Sequence, residues 1–495
     1  MAVVAIALCC LLPNGASAQQ FGPNETVKAA YEAGVALQEA GDHEGALQKF
    51  DEGIAADAEG IFAPLHFAKA ESLRELEDYE NAITSYKIAI TIDGKLAPAY
   101  NGRGVCFREQ GNLELALNDF RTAAEYDRRD PSIAANLGDI LVNNAQNPVE
   151  AMPYLDRAIE LKPDDAESYR NRGWAHALLR DFEKGIVDLN KAIELDPSDY
   201  ETYQRLANAH LAEEDYQLSI DALSKAIEYY EPEENSDPDT YITGYLQRAA
   251  SRMTLAKEAD QTPEQRSKLY SEIVADTDAV LAEFPDRFPE AGLALYRRGT
   301  ALRMQGLYSE AIIAFTDAIQ LIPAGSEGSY SGEAYLIRGI CWFYQGQNDL
   351  ARGDFKEAAA LSLVDPLPYL WIGYTQAEKG QFRKAIESYG EAVSRSPSFA
   401  LAHVNRGLAY MQLKDYDKAI ANFNDAIRSE PTEPKHFYKR GKAHEELEEW
   451  EKALDSYELA LHRDGNFAAA NQGAARALQA LGRPGLGNQF QNRVQ

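Results

Sequence analysis

The residues with the clearest capacity for chemistry are Lys435, Lys439 and Lys442, in the stretch Pro434-Lys-His-Phe-Tyr-Lys-Arg-Gly-Lys442. Their i, i+4, i+7 spacing places three ammonium groups on one face of a helix. Cations in a first helical turn oppose the macrodipole by roughly 0.3–1 kcal/mol each. In a chain of 495 residues with 78 acidic and 49 basic side chains, a net charge of −29, helix stability alone does not select such a cluster. The chemistry it suits is capture of an anionic group. The competing reading is a solvated face neutralised by Glu445, Glu446, Glu448 and Glu449 further along.

The other reactive side chains are not arranged for catalysis. The eight histidines are scattered, with no His-Glu-x-x-His pair, and no Cys-x-x-Cys occurs, so zinc has no cage. Phosphate-binding and dinucleotide glycine motifs are missing, as is a nucleophile elbow. Cys106 and Cys341 stand at equivalent places in the pattern described below and read as small buried packing residues. The sequence therefore predicts a non-enzymatic chain with no cofactor and no metal. Its acidity argues against duplex nucleic acid and against anionic lipid as partners. Past the first dozen residues no apolar run approaches the roughly 20 residues that span a bilayer. A protein or peptide remains as the expected partner, with the oligomeric state open.

The elements that must hold these lysines are set by a repeat. A small residue followed by apolar positions at helical spacing recurs at Gly34, Ala70, Gly104, Gly138, Gly173, Ala207, Ala249, Gly299, Gly339, Gly373, Gly407 and Gly441. Most intervals are 34 to 36; three in the middle are 42, 50 and 40. Twelve residues on comes a second small residue (Ala46, Ala116, Ala385, Ala453), and four beyond it a bulky one (Phe50, Phe120, Tyr389, Tyr457). A further small residue follows after three, and a proline often closes the unit, as at Pro163, Pro197 and Pro397. Physically this is a pair of antiparallel helices. Small residues let the backbones approach, the bulky residue fills the gap, and proline stops the second helix. A tyrosine four residues before the small one (Tyr100, Tyr169, Tyr203, Tyr245, Tyr335, Tyr369) reads as packing at repeat spacing.

This pattern closely resembles the tetratricopeptide repeat (TPR) family. The resemblance implies an all-α, right-handed superhelical solenoid of about twelve repeats. Regular repeats are expected over 27–231 and 332–466, around an irregular middle at 232–334. A capping helix over 467–482 and a disordered Gly/Asn/Gln-rich tail over 483–495 complete the chain. In this family the first helix of each unit lines a concave groove. Carried onto this sequence, that puts Leu336, Ile340, Phe343, Leu370, Tyr374, Leu401, Val404 and Leu408 on the groove of repeats nine to eleven. The matching places of repeat three are more polar, with Asn101, Arg108 and Glu109. Lys435, Lys439 and Asn405 also resemble part of the carboxylate clamp by which some TPR domains grip an acidic peptide terminus. The rest of that clamp is missing, because Leu370 and Tyr374 stand where it requires Lys and Asn.

The departures from the period carry their own expectations. Residues 228–239 are strongly acidic and read as a solvated linker, and 324–332 as a flexible loop. Ala249 to Ala279 is 30 residues where 19 is usual, so the seventh unit is longer inside, its second helix starting at Pro263 behind a Thr262/Gln265 capping box. A hinge and a tolerated edge insertion are both compatible with this middle region. At the N-terminus, Ala2–Leu12 is continuously apolar and Ala16-Ser17-Ala18 is a small-x-small cleavage pattern, although no Lys or Arg precedes the run. Residues 1–18 are thus expected to be a signal peptide, giving an exported chain from Gln19. Leu8 before Cys9 argues against a lipoprotein anchor, and Asn24-Glu25-Thr26 is a glycosylation acceptor in a eukaryotic route. The expected function is a peptide- or helix-binding scaffold in assembly of an envelope or secretion complex. A cytoplasmic co-chaperone and an auxiliary substrate-presenting subunit of an enzyme are the alternatives.

Overall fold

The structure, a computed structural model, describes residues 25–230, 238–285, 290–321 and 330–483. The expectations for residues 1–18, for Asn24, for 231–237, for most of the loop at 324–332 and for the tail from 484 lie outside the described residues. The chain divides into two compact units, residues 1–236 and 237–495.

The first unit holds α1 (Glu25–Glu39), α2 (His43–Ala56), α3 (Ala63–Glu75), α4 (Tyr79–Ile92), α5 (Ala97–Glu109), α6 (Leu113–Tyr126), α7 (Pro131–Asn143), α8 (Pro148–Leu161), α9 (Ala166–Leu178), α10 (Phe182–Leu195), α11 (Tyr200–Ala212) and α12 (Tyr216–Tyr229). The second holds α13 (Pro238–Leu255), α14 (Pro263–Glu283), α15 (Glu290–Met304), α16 (Tyr308–Leu321), α17 (Ser331–Tyr344), α18 (Asn348–Leu361), α19 (Leu367–Glu378), α20 (Phe382–Arg395), α21 (Ala400–Gln412), α22 (Tyr416–Ser429), α23 (Pro434–Glu446), α24 (Trp450–Arg463) and α25 (Ala468–Ala480). In each unit an odd-numbered helix pairs with the even-numbered one after it, and successive pairs stack in chain order. The described residues contain no strand. The all-α repeat solenoid expected from the sequence is the fold of each unit.

The small residue of the pattern is small for a steric reason. A Cβ on Gly373 would lie 2.4 Å from Cε1 of Tyr389, and one on Gly441 2.7 Å from Cε1 of Tyr457, so the ring on the partner helix occupies that space. The second helix starts on an acidic cap in many pairs. The carboxylates of Asp42, Asp78, Asp215 and Asp415 each accept from the backbone N–H three residues on. An arginine just before the small residue adds a polar tie. Arg103, Arg172 and Arg338 pair with Asp119, Asp188 and Asp354, each sixteen residues away and just before the bulky position.

That tie locates the insertion in the seventh pair. Arg248 holds Asp276 at a separation of 28 rather than 16, so twelve extra residues lie between them. Most of them fall in the connection from α13 to α14 and in the first turns of α14, which reaches 21 residues against 14 in α12. Val280, fully buried, therefore takes the place the sequence pattern gives to Ala279, a correction of one residue. The bulky position falls on Thr277, so no aromatic marks the register there. The capping box is present as expected: Thr262 Oγ1 accepts from the Gln265 N–H at 3.2 Å, and the Gln265 side chain accepts from the Thr262 N–H at 2.7 Å.

Candidate functional site

In the second unit α23 carries the lysine cluster. Its first turn is capped by Glu433, whose carboxylate accepts from the Lys435 N–H at 3.2 Å. Lys442 lies 3.7 Å from Glu445, which is itself held by Arg476 and by the Tyr457 hydroxyl. Lys435 is exposed and Lys439 half-buried, and neither ammonium meets a carboxylate among the described residues. Two of the four acids considered from the sequence are engaged elsewhere. Glu449 binds His444 and Lys452 at 2.6 and 2.7 Å, and Glu446 accepts from the Tyr416 hydroxyl at 3.3 Å. Burial, and after it the charge of Lys435, pulls the Lys439 pKa below the ordinary lysine value. The result is a partly desolvated cation that Glu433 attracts without an ion pair, and no carboxylate pairs with it among the described residues.

The neighbouring first helices continue the surface. Gly373, Gly407 and Gly441 each meet the ring sixteen residues on, so residues 34 apart occupy equivalent places. Three rows follow: Leu367, Leu401 and Lys435; Trp371, Asn405 and Lys439; Tyr374, Leu408 and Lys442. Each ends in a lysine. Leu367, Leu401 and Leu408 are exposed, at 39%, 46% and 38%. Asn405 donates to the Tyr374 hydroxyl at 3.0 Å and to the Leu401 carbonyl at 2.6 Å, which ties α21 to α19.

The groove assignment needs correction at three positions. Leu336, Leu370 and Val404 are buried, each three residues before the small residue and turned toward its own second helix. Leu336 packs with Phe355, Leu370 with Tyr389, and Val404 with Ala426. Ile340, Phe343 and Tyr374 are half-buried. The sequence reading missed Trp371, whose ring centre lies 5.5 Å from that of Phe343 and 5.3 Å from that of Tyr374. It also missed the exposed Tyr344, stacked on Tyr308. Extending the rows back by 34 from Asn405 and Leu401 finds Trp371 and Leu367; nothing in the local pattern marks Tyr344. Next to Leu367, the connection from α18 to α19 exposes Leu363 and Val364 at 77% and 80%.

The corresponding face of the first unit is chemically different. Asn136 donates to Asn101 at 3.0 Å, and Arg108 to Asp139 at 3.1 Å. Asp139 also accepts from Asn143 and Asn171, and Arg205 donates to Asn171 at 2.9 Å. Arg170 binds Asp199 at 2.8 Å. The polar character expected for repeat three thus extends from α5 through α11 as a series of side-chain hydrogen bonds, with Asn171 buried among them.

The thiols have no nucleophilic setting. Burial pushes Cys106 up to about 12 and Cys341 to about 11, and both are fully buried. Among the described residues no group of three His, Cys, Asp or Glu side chains could hold a metal ion, and no helix is long and apolar enough to cross a membrane.

Comparison with known proteins finds the tetratricopeptide repeat. One family model with that description matches residues 67–132, 107–166, 276–326 and 372–434; two others match 166–199 and 200–232. Tetratricopeptide repeat protein 13 of Homo sapiens is 32% identical over 126 residues, which are 26% of this chain and only 13% of the human protein. Among solved structures, yeast Tom70 is 13% identical with a TM-score of 0.36, covering 95% of this chain and 97% of its own. The Cut9 and Hcn1 hetero-tetramer of the APC/C is 15% identical with a TM-score of 0.34, covering 87% and 93%. YrrB, described as a TPR protein with an unusual peptide-binding site, is 24% identical with a TM-score of 0.33, covering 36% and 91%.

Proposed function

From the premise that the chain belongs to the tetratricopeptide repeat family, matched over more than half its length, we propose that it is a non-catalytic scaffold whose second unit captures a peptide or helix of a partner protein. The surface is that of the first helices of the last four repeats. The observation that carries this reading is Lys439, half-buried beside Lys435 with no carboxylate on either ammonium among the described residues, in a chain of charge −29. A desolvated cation is costly until it is paired. An anionic group on a ligand supplies the missing partner.

The reading includes an exported location and a role in assembling an envelope or secretion complex. Its support is the apolar Ala2–Leu12 followed by Ala16-Ser17-Ala18. Mass spectrometry of the mature chain tests it: a terminus at Gln19 supports export, and an intact Met1 or Ala2 terminus removes it.

The binding reading is tested by affinity capture from native extract with the chain and with a Lys435→Glu/Lys439→Glu variant. Lys442 is left alone because Glu445 already engages it. One dominant prey, lost with the variant while its circular dichroism and melting stay unchanged, is the expected result. The same prey on both baits would move the site away from α23.

A further inference from the structure

We propose that the second unit's surface takes a two-part ligand, an acidic group joined to apolar side chains within one partner-protein segment. The acidic group lies at α23, and the apolar part runs back over Leu401 and Leu367 onto the Leu363–Val364 connection. This rests on the reading above and adds the chemistry and placement of the occupant. Two observations carry it. The three equivalent rows each pass from apolar or amide side chains to a lysine in the same direction, so charge and apolarity are segregated along the surface. Exposed apolar side chains are also concentrated within seven residues, Leu361, Leu363, Val364 and Leu367 being exposed at 40%, 77%, 80% and 39% around Ser362, Asp365 and Pro366. Exposed apolar groups side by side mark contact surfaces. Lys435 and Lys439 lie at one end of them, which fixes the occupant by charge complementarity as an acidic, one-sidedly apolar segment. A purely acidic segment would leave the connection uncovered, and a purely apolar one would leave Lys439 unpaired.

The test uses the full chain and three fluorescent peptides of equal length: acidic residues joined to leucines and valines, acidic residues joined to serines, and a scramble of the first. Fluorescence anisotropy is expected to rank the joined peptide about tenfold tighter than either of the others. Leu363→Asp/Val364→Asp, on an exposed connection, is expected to lower affinity for the joined peptide about fivefold and to leave the acidic–serine peptide unchanged. Lys435→Glu/Lys439→Glu is expected to weaken both by about tenfold or more. A photo-crosslinker on the apolar end is expected to mark residues 361–367. Equal affinity for the three peptides, no effect of the Leu363/Val364 change, or crosslinks confined to α23–α25 would overturn the proposal. So would sedimentation showing that the Leu363/Val364 change abolishes self-association, or flotation showing that it abolishes binding to anionic vesicles, since either gives the connection another occupant. If the native prey is lost with the lysine variant yet kept by the Leu363/Val364 variant, the scaffold reading stands and this inference alone falls.

Discussion

Arg103 and Asp119 face each other across the two helices of one repeat in a two-point ion pair, Nε to Oδ2 at 2.7 Å and Nη2 to Oδ1 at 2.8 Å. Arg172–Asp188 and Arg338–Asp354 repeat the geometry, and in all three the guanidinium lies over the tyrosine three residues before it, 5.3 to 5.6 Å from the ring centre. Toward the C-terminus the tie weakens in kind. Arg406 donates to the Asn422 amide oxygen, and Arg440 to the Ser456 hydroxyl and the Asn424 amide oxygen, neutral acceptors in place of a carboxylate.

Arg172 offers a comparison within one side chain, because it binds both Asp188, 9% exposed, and Asp156, 58% exposed. Asp188→Ala leaves a guanidinium short of its desolvated partner and is expected to cost about 1–3 kcal/mol. Asp156→Ala removes an exposed pair and is expected to cost under about 1 kcal/mol. Urea unfolding of the two variants, read by circular dichroism, checks the order.

Two glycines are expected to respond oppositely to alanine. At Gly373 a methyl collides with the Tyr389 ring, and overpacking of this kind costs about 1–3 kcal/mol. At Gly353, within α18, no atom lies within 4 Å of the added Cβ, and the helical preference of alanine is expected to stabilise by about 0.5–1 kcal/mol. Thermal melting of both variants decides the matter.

Cys106 and Cys341 are expected to resist alkylation in the native state at pH 8, because burial holds both thiols protonated well above that pH. Peptide-resolved mass spectrometry after brief iodoacetamide treatment should find both unmodified until denaturant is added.

Glu445 gives the fold an acid-sensitive point. Burial opposes its ionisation, but hydrogen bonds from Arg476 and Tyr457 outweigh burial and hold its pKa below the ordinary 4.5. A depressed carboxylate contributes stability that is complete above the unfolded value and is lost as the pH falls through the folded one. Urea midpoints should therefore fall below about pH 4.5 in the native chain, and less steeply in Glu445→Gln. Equal slopes would remove Glu445 from the account.

Much of the fold was legible because its rule is steric and local. The Gly373–Tyr389 and Gly441–Tyr457 spacing repeats, and a ring against a missing Cβ leaves a mark in any repeat that keeps it. The Thr262 box was readable for the same reason, all of its hydrogen bonds lying within four residues. The seventh pair slipped by one residue because Thr277 replaced the ring that would have fixed the count. Leu336, Leu370 and Val404 were misplaced because apolar residues on the groove face and on the partner-facing side alternate within a single turn, and side-chain type does not separate them. The state of Lys439 was illegible in principle. Four acids stand downstream of it, and which cations they reach depends on helix geometry that spacing alone does not fix.

The last helix has a role beyond covering an end. The ring of Tyr457 lies between Gly441 and Gly473, where added Cβ atoms would come within 2.7 and 2.6 Å of it. From the helix of Gly473, Arg476 grips Glu445, whose carboxylate lies 3.7 Å from the Lys442 ammonium. Helix α25 is thus a splint for α23, the helix that carries the three lysines, through Gly473 against the Tyr457 ring and Arg476 on Glu445. A cut ahead of Ala468 would spare every residue of α23 and still remove both ties, so the placement of this helix depends on residues some thirty positions downstream of it.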